Sequence, residues 1–250
     1  MEFIVNYKNI NEIKVFNNTN ELTEYLGSFW KEKTDNLYDD DEFYSIALSG
    51  GNTPIKIFQY LSDNYNASIN WNKIKFFWGD ERCVPPTDLD SNYKLAKDYL
   101  FNHVGIDEAN IFRIKGESDP SNEAEEYSKT IKNNLSLENG YPKFDFILLG
   151  LGEDGHTASI FPHQIELFNS QNYCEIAVHP VSGQKRITIT GNIINNADVV
   201  SIVAVGKNKA DRVFEILNKS EIAEGYPASL VKPNNQKLFW LLDDESSELL

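Results

Sequence analysis

Residues 144–162 read "FDFILLGLGEDGHTASIFP", and the order of residue types along them points to the fold. The apolar run of 144–150 suits a strand covered on both faces. It ends in a glycine-rich turn that presents Asp154, Gly155 and His156 in succession. A buried strand leading into a turn of this kind is expected in an open α/β sheet, whose ligands lie beyond the carboxyl ends of the strands.

The same pattern recurs on either side. Strand-like runs are "EIKVF" (12–16), "FYSIALS" (43–49), "KIKFFWG" (73–79), "NIFRIK" (110–115), "RITIT" (186–190), "VVSIVAV" (199–205) and "KLFWLL" (237–242). Helical patterns separate them. "TPIKIFQYLSDNY" sets Ile57, Phe58 and Leu61 on one face, with Thr53 expected as N-cap and Pro54 in the first turn. "SNYKLAKDYLF" starts at a serine cap, and "DPSNEAEEYSKTIKNNL" starts at Asp119 and Pro120 with early acids that suit the helix dipole. "KNKADRVFEIL" follows the strand ending at Val205. Strands alternating with helices predict a Rossmann-like α/β fold: a mostly parallel sheet with helices on both faces, in one domain over residues 1–250. The acidic run "LYDDDEF" (37–43) reads as a solvated loop.

The chain has 250 residues and a formal net charge of −15. That charge argues against nucleic acid and anionic membrane as partners, since both require a basic face. A small anion remains feasible if the few cations converge on one pocket. Cys83 and Cys174 fit no metal-ligand spacing and read as buried or free thiols in a reducing compartment. The opening "MEFIVNYKNINEIKVF" resembles neither a signal nor a transit peptide. No apolar run reaches the ~20 residues a bilayer demands. A cytoplasmic protein is expected.

Four groups of residues at strand ends carry chemistry. In "LSGGNTP" (48–54), Ser49, Gly50 and Gly51 precede a helix, so backbone N–H groups and the positive dipole end can cradle a phosphate. A plain strand-to-helix turn explains the same residues, and neither the Walker nor the dinucleotide pattern is present. "WGDERCVP" (78–85) brings Asp80, Glu81 and Arg82 off a buried strand. They are either a solvated loop or a ligand edge where Arg82 meets an anion. His156 is the residue type most often used as a general base, and it stands after a strand inside a glycine-rich turn. Asp154 either orients that imidazole or closes the turn on its own backbone. His103, His163 and His179 read as structural or exposed. Arg186 and Lys209 supply a planar fork and a point charge for phosphate oxygens.

Taken together, these stretches resemble the 6-phosphogluconolactonases, within the fold shared with glucosamine-6-phosphate deaminases. The likeness runs from "ALSGGNTP" (47–54) through "FFWGDERCVPPTDLDSNYKLA" (76–96), "FDFILLGLGEDGHTASIFP", "RITIT" and "VAVGKNKA" (203–210) to "YPASLVKP" (226–233). Asn52 departs from a frequent serine, and 163–185 is too generic to carry a site over. The resemblance implies hydrolysis of 6-phosphoglucono-1,5-lactone in the oxidative pentose phosphate pathway, with no metal and no organic cofactor. It implies His156 as general base with Asp154 as its partner. Arg186, Lys209, Thr53 and the Ser49–Gly50–Gly51 loop become the phosphate clamp, with Asp80 and Arg82 as further substrate contacts. The implied partner is a phosphorylated sugar lactone, and a monomer or weak dimer is expected. Two rival readings differ from this one at particular residues. A glucosamine-6-phosphate deaminase typically reads Asp-Glu-Tyr where this chain has Asp80-Glu81-Arg82, and carries a glutamate shortly after the histidine. A non-catalytic sugar-phosphate sensor would normally carry a DNA-binding segment.

Overall fold

A computed structural model describes residues 3–6, 11–39, 42–235 and 237–250. Residues 1–2 and 7–10 of the opening stretch, and Asp40 and Asp41 of the acidic run, lie outside the described residues. The strands are β1 (Phe3–Asn6), β2 (Asn11–Phe16), β3 (Tyr44–Leu48), β4 (Ile74–Trp78), β5 (Asp80–Arg82), β6 (Leu137–Glu138), β7 (Tyr141–Pro142), β8 (Phe146–Gly150), β9 (Cys174–Val178), β10 (Lys185–Ile189), β11 (Val199–Ala204) and β12 (Leu238–Asp243). The α-helices are α1 (Thr19–Asp35), α2 (Asn52–Asn64), α3 (Asn92–Ala96), α4 (Pro120–Asn134), α5 (Gly191–Asn195) and α6 (Ala210–Leu217).

Seven strands form the central sheet in the order β1-β2-β12-β11-β8-β3-β4. All neighbours are parallel except β1, which runs antiparallel to β2. β3, β8 and β11 are buried along nearly their whole length, which explains their unbroken apolar sequence. From β3 the chain steps to β4 on one side, then returns past β3 to build β8, β11 and β12 on the other. Right-handed crossovers in opposite directions put helices on opposite faces; α1 and α2 both follow crossovers in the same direction, from β2 to β3 and from β3 to β4, and pack together. The β3/β8 boundary is therefore a topological switch point, where strand ends diverge and leave a crevice.

β10 departs from the expected parallel sheet. It pairs antiparallel with β5 and β9 in a separate three-stranded sheet, with Arg186 opposite Arg82 and Thr188 opposite Asp80. Gly79 joins the two sheets: its N–H donates to Leu48 O, and its carbonyl accepts from Ile189 N. The small sheet thus adjoins the carboxyl ends of β3 and β4. "NIFRIK" is no strand. Its single parallel bridge pairs Ile111 with Phe76, and its apolar residues are used in packing: Phe112 stacks on Phe77 at 4.7 Å and Ile114 is buried in the core. Thr53 is not an N-cap, because Gly51 holds that position at φ +103° with no side-chain cap. Ser91 and Asp119 do cap α3 and α4.

Candidate active site

The turn after β8 is built around its glycines. Gly155 has φ +82°, and a Cβ there would stand 2.4 Å from the Tyr226 ring, so both backbone and packing exclude a side chain. Ala228 N–H donates to Gly155 O, which ties the "YPASLVKP" segment to this turn. Gly152 N–H donates to His156 O and Thr157 Oγ1 donates to Gly150 O, closing the loop on itself.

Within the turn, Asp154 Oδ1 lies 2.5 Å from His156 Nδ1 and also accepts the His156 backbone N–H at 3.1 Å. The carboxylate therefore closes the turn and orients the ring; both readings of Asp154 hold. Partial burial pushes the Asp154 carboxyl up, but the hydrogen bond and charge of His156 outweigh it and hold the group at about 2. An ionised Asp154 accepts Nδ1–H, which leaves the proton-accepting lone pair of a neutral His156 on Nε2. The His156 ring also packs on buried Phe161, with centroids 4.8 Å apart.

Phe161 links the imidazole to the cations. The Arg186 guanidinium sits over the same ring at 5.6 Å. Arg186 Nε is buried without a hydrogen-bond partner, and its Nη1 reaches Ser159 Oγ only at 3.4 Å. Burial depresses Arg186, with Asp80 opposing, and depresses Lys209, with Glu153 and Asp154 opposing. Lys209 occupies the position before α6, with no side-chain cap, on a turn where Gly206 (φ +93°) donates its N–H to the Asp243 carboxylate. Arg82 Nη1 donates to Asp90 O at 2.6 Å, while its Nε is buried and unpartnered.

A cavity of about 970 Å³ opens at the switch point. Every candidate from the sequence lines it: His156, Asp154, Ser49, Gly50, Gly51, Thr53, Asp80, Arg82, Arg186 and Lys209. The uncapped start of α2 faces it, with no acid in the first turn to neutralise the dipole. Ser49 Oγ is buried there without a partner. Among the described residues, no group of three or more His, Cys, Asp or Glu side chains is placed to hold a metal ion.

Asp80 and Glu81 have different roles. Glu81 is 2 % exposed and its oxygens accept N–H bonds from Arg82, Asn92 and Tyr93 and the Ser91 hydroxyl, so it anchors α3. Asp80 lines the cavity and accepts from Ser159 Oγ at 2.6 Å. Ser159 is thus fully buried between Asp80 and Arg186. Burial pushes the Cys83 thiol up to about 11, well away from a nucleophile's range.

Asn92 and His179 are among the cavity residues that the sequence pattern does not mark. Asn92 belongs to the start of α3 and packs so closely on Gly50 that a Cβ there would meet its Oδ1 at 1.8 Å. His179 lies in the segment that carried no site, yet it lines the cavity. Only the run "HPVSGQKR" ahead of Arg186 offered a signal.

With this geometry in place, the relatives are informative. The family model described as "Glucosamine-6-phosphate isomerases/6-phosphogluconolactonase" matches residues 17–240. A 6-phosphogluconolactonase of Treponema pallidum is 40% identical, over 81% of this chain and 82% of that one. A Haemophilus influenzae 6-phosphogluconolactonase is 41% identical over 82% and 87%. The solved structure of 6-phosphogluconolactonase from Trypanosoma brucei superposes with a TM-score of 0.83 at 28% identity, covering 98% of this chain and all of that one.

Proposed function

This chain belongs to the glucosamine-6-phosphate isomerase/6-phosphogluconolactonase family, and from that premise we propose that it hydrolyses 6-phospho-D-glucono-1,5-lactone to 6-phospho-D-gluconate in the oxidative pentose phosphate pathway. The observation that carries the reading is the convergence on one cavity of an imidazole oriented by a carboxylate and of cations with unused donors.

In this reading His156 Nε2 takes a proton from water as its oxygen bonds to C1 of the lactone. The C1–ring-oxygen bond then breaks, and the histidine returns the proton to the departing ring oxygen. The product acid ionises at neutral pH, so each turnover releases one proton. A base within reach of the water contributes roughly 10²–10⁴ in rate. Asp154 stabilises the imidazolium and fixes its tautomer. Arg186 and Lys209, with Ser49, Gly50, Gly51 and Thr53 at the start of α2, grip the phosphate. Binding energy at that remote group fixes C1 relative to the base. Asp80 accepts from a sugar hydroxyl, and Arg82 contacts the reacting end.

We also propose that residues 1–250 form one domain, acting in the cytoplasm as a monomer or weak dimer. No helix among the described residues is long and apolar enough to cross a membrane.

The test is proton release from freshly generated lactone, corrected for spontaneous opening, with ammonia release from glucosamine 6-phosphate measured in parallel. Accelerated lactone opening without ammonia is expected. Ammonia release without lactone opening would transfer the chain to the deaminase branch of the family.

A further inference from the structure

We propose that His179, through its Nε2–H, is a hydrogen-bond donor to a substrate oxygen in this cavity. The inference rests on the lactonase reading above. His179 begins the β9–β10 turn, and its Nδ1 accepts two backbone N–H groups, from Val181 at 3.3 Å and Ser182 at 3.1 Å. A nitrogen that accepts two N–H groups carries no proton, so the neutral ring holds its proton on Nε2. Gly183 N–H, bonded to His179 O, closes the same turn. The ring plane is fixed as well, since it meets Phe161 edge-on at 5.3 Å, the same aromatic side chain that carries His156 and Arg186.

The other ring nitrogen has no such partner. Among the described residues Nε2–H meets no protein acceptor, while the residue lines the cavity and is only half-buried. Its charged surroundings are Arg186, Arg82, the His156 ring and Asp154. Burial first, then the arginine and His156, push the imidazole down, which favours the neutral donor. A neutral donor beside cations suits an oxygen of the sugar between the phosphate and C1. It adds direction without adding positive charge next to the base.

Two substitutions separate this role from turn formation. In His179→Asn the amide oxygen replaces Nδ1 and keeps both N–H bonds, but nothing reaches the Nε2 position. In His179→Gln the amide nitrogen reaches that position, but the turn loses its acceptor. Each variant and the unaltered protein would be compared in lactone turnover, 6-phosphogluconate affinity and melting temperature. We expect His179→Asn to melt like the parent yet bind 6-phosphogluconate about ten-fold more weakly, and His179→Gln to regain most of the affinity despite lower stability. Parental binding and turnover in His179→Asn would overturn the donor role while leaving the lactonase reading intact. So would affinity that tracks melting temperature across both variants. An unaltered protein that neither opens the lactone nor binds 6-phosphogluconate would overturn the reading beneath it.

Discussion

Gly152→Ala tests the Asp154–His156 pair without deleting either member. A Cβ at position 152 would stand 2.1 Å from His156 Nδ1, 2.4 Å from its Cε1 and 2.7 Å from Asp154 Oδ1. Ordinary contact begins at 3.4 Å, so the ring must retreat by about 1.3 Å. The backbone at 152 is not in the left-handed region, so the perturbation is steric rather than conformational. Displacing a reacting group by about 1 Å costs on the order of 10²-fold in rate. We therefore expect kcat in the proton-release assay to fall about 100-fold, while 6-phosphogluconate affinity changes little, because the phosphate grip lies elsewhere in the cavity. Parental kcat in a folded Gly152→Ala protein would refute the claim that this imidazole position matters.

Asp154→Asn should lower kcat by about 10²-fold or more by releasing the tautomer. It should also flatten part of the acid stability profile. The depressed carboxyl contributes stability that is present above about pH 4 and is lost as pH falls toward 2, as acid unfolding of the two proteins would show. Arg186→Ala or Lys209→Ala should reduce the preference for phosphorylated over plain gluconolactone by about 10–100-fold; a preserved preference in competition assays would place the phosphate elsewhere. Glu81→Ala should unfold at least about 3 kcal/mol more easily in a urea titration, because several buried donors lose a charged acceptor.

The fold was legible where two-sided burial writes continuous apolar runs, as in β3, β8 and β11. It was less legible where side-chain packing imitates strand pairing: in "NIFRIK" Phe112 stacks on Phe77 and Ile114 is buried in the core, which sequence pattern cannot tell from ladder bonds. The antiparallel setting of β10 was hidden because its partner β5 is only three residues long and lies far away in the chain. At the site, glycines and charges after strand ends marked the cavity, since those residue types are costly to place there without use. Asn92 and His179 left little local trace. Asn92 follows a serine cap that already explains its surroundings, and His179 follows an edge strand of the small sheet whose relation to β8 emerges only in three dimensions.

The most direct measurement of the central claim is turnover by His156→Ala set beside its affinity for 6-phosphogluconate. We predict kcat lower by roughly 10²–10⁴ with the product still bound within a few-fold of the parent. Unchanged turnover would contradict the assignment of this imidazole as the base.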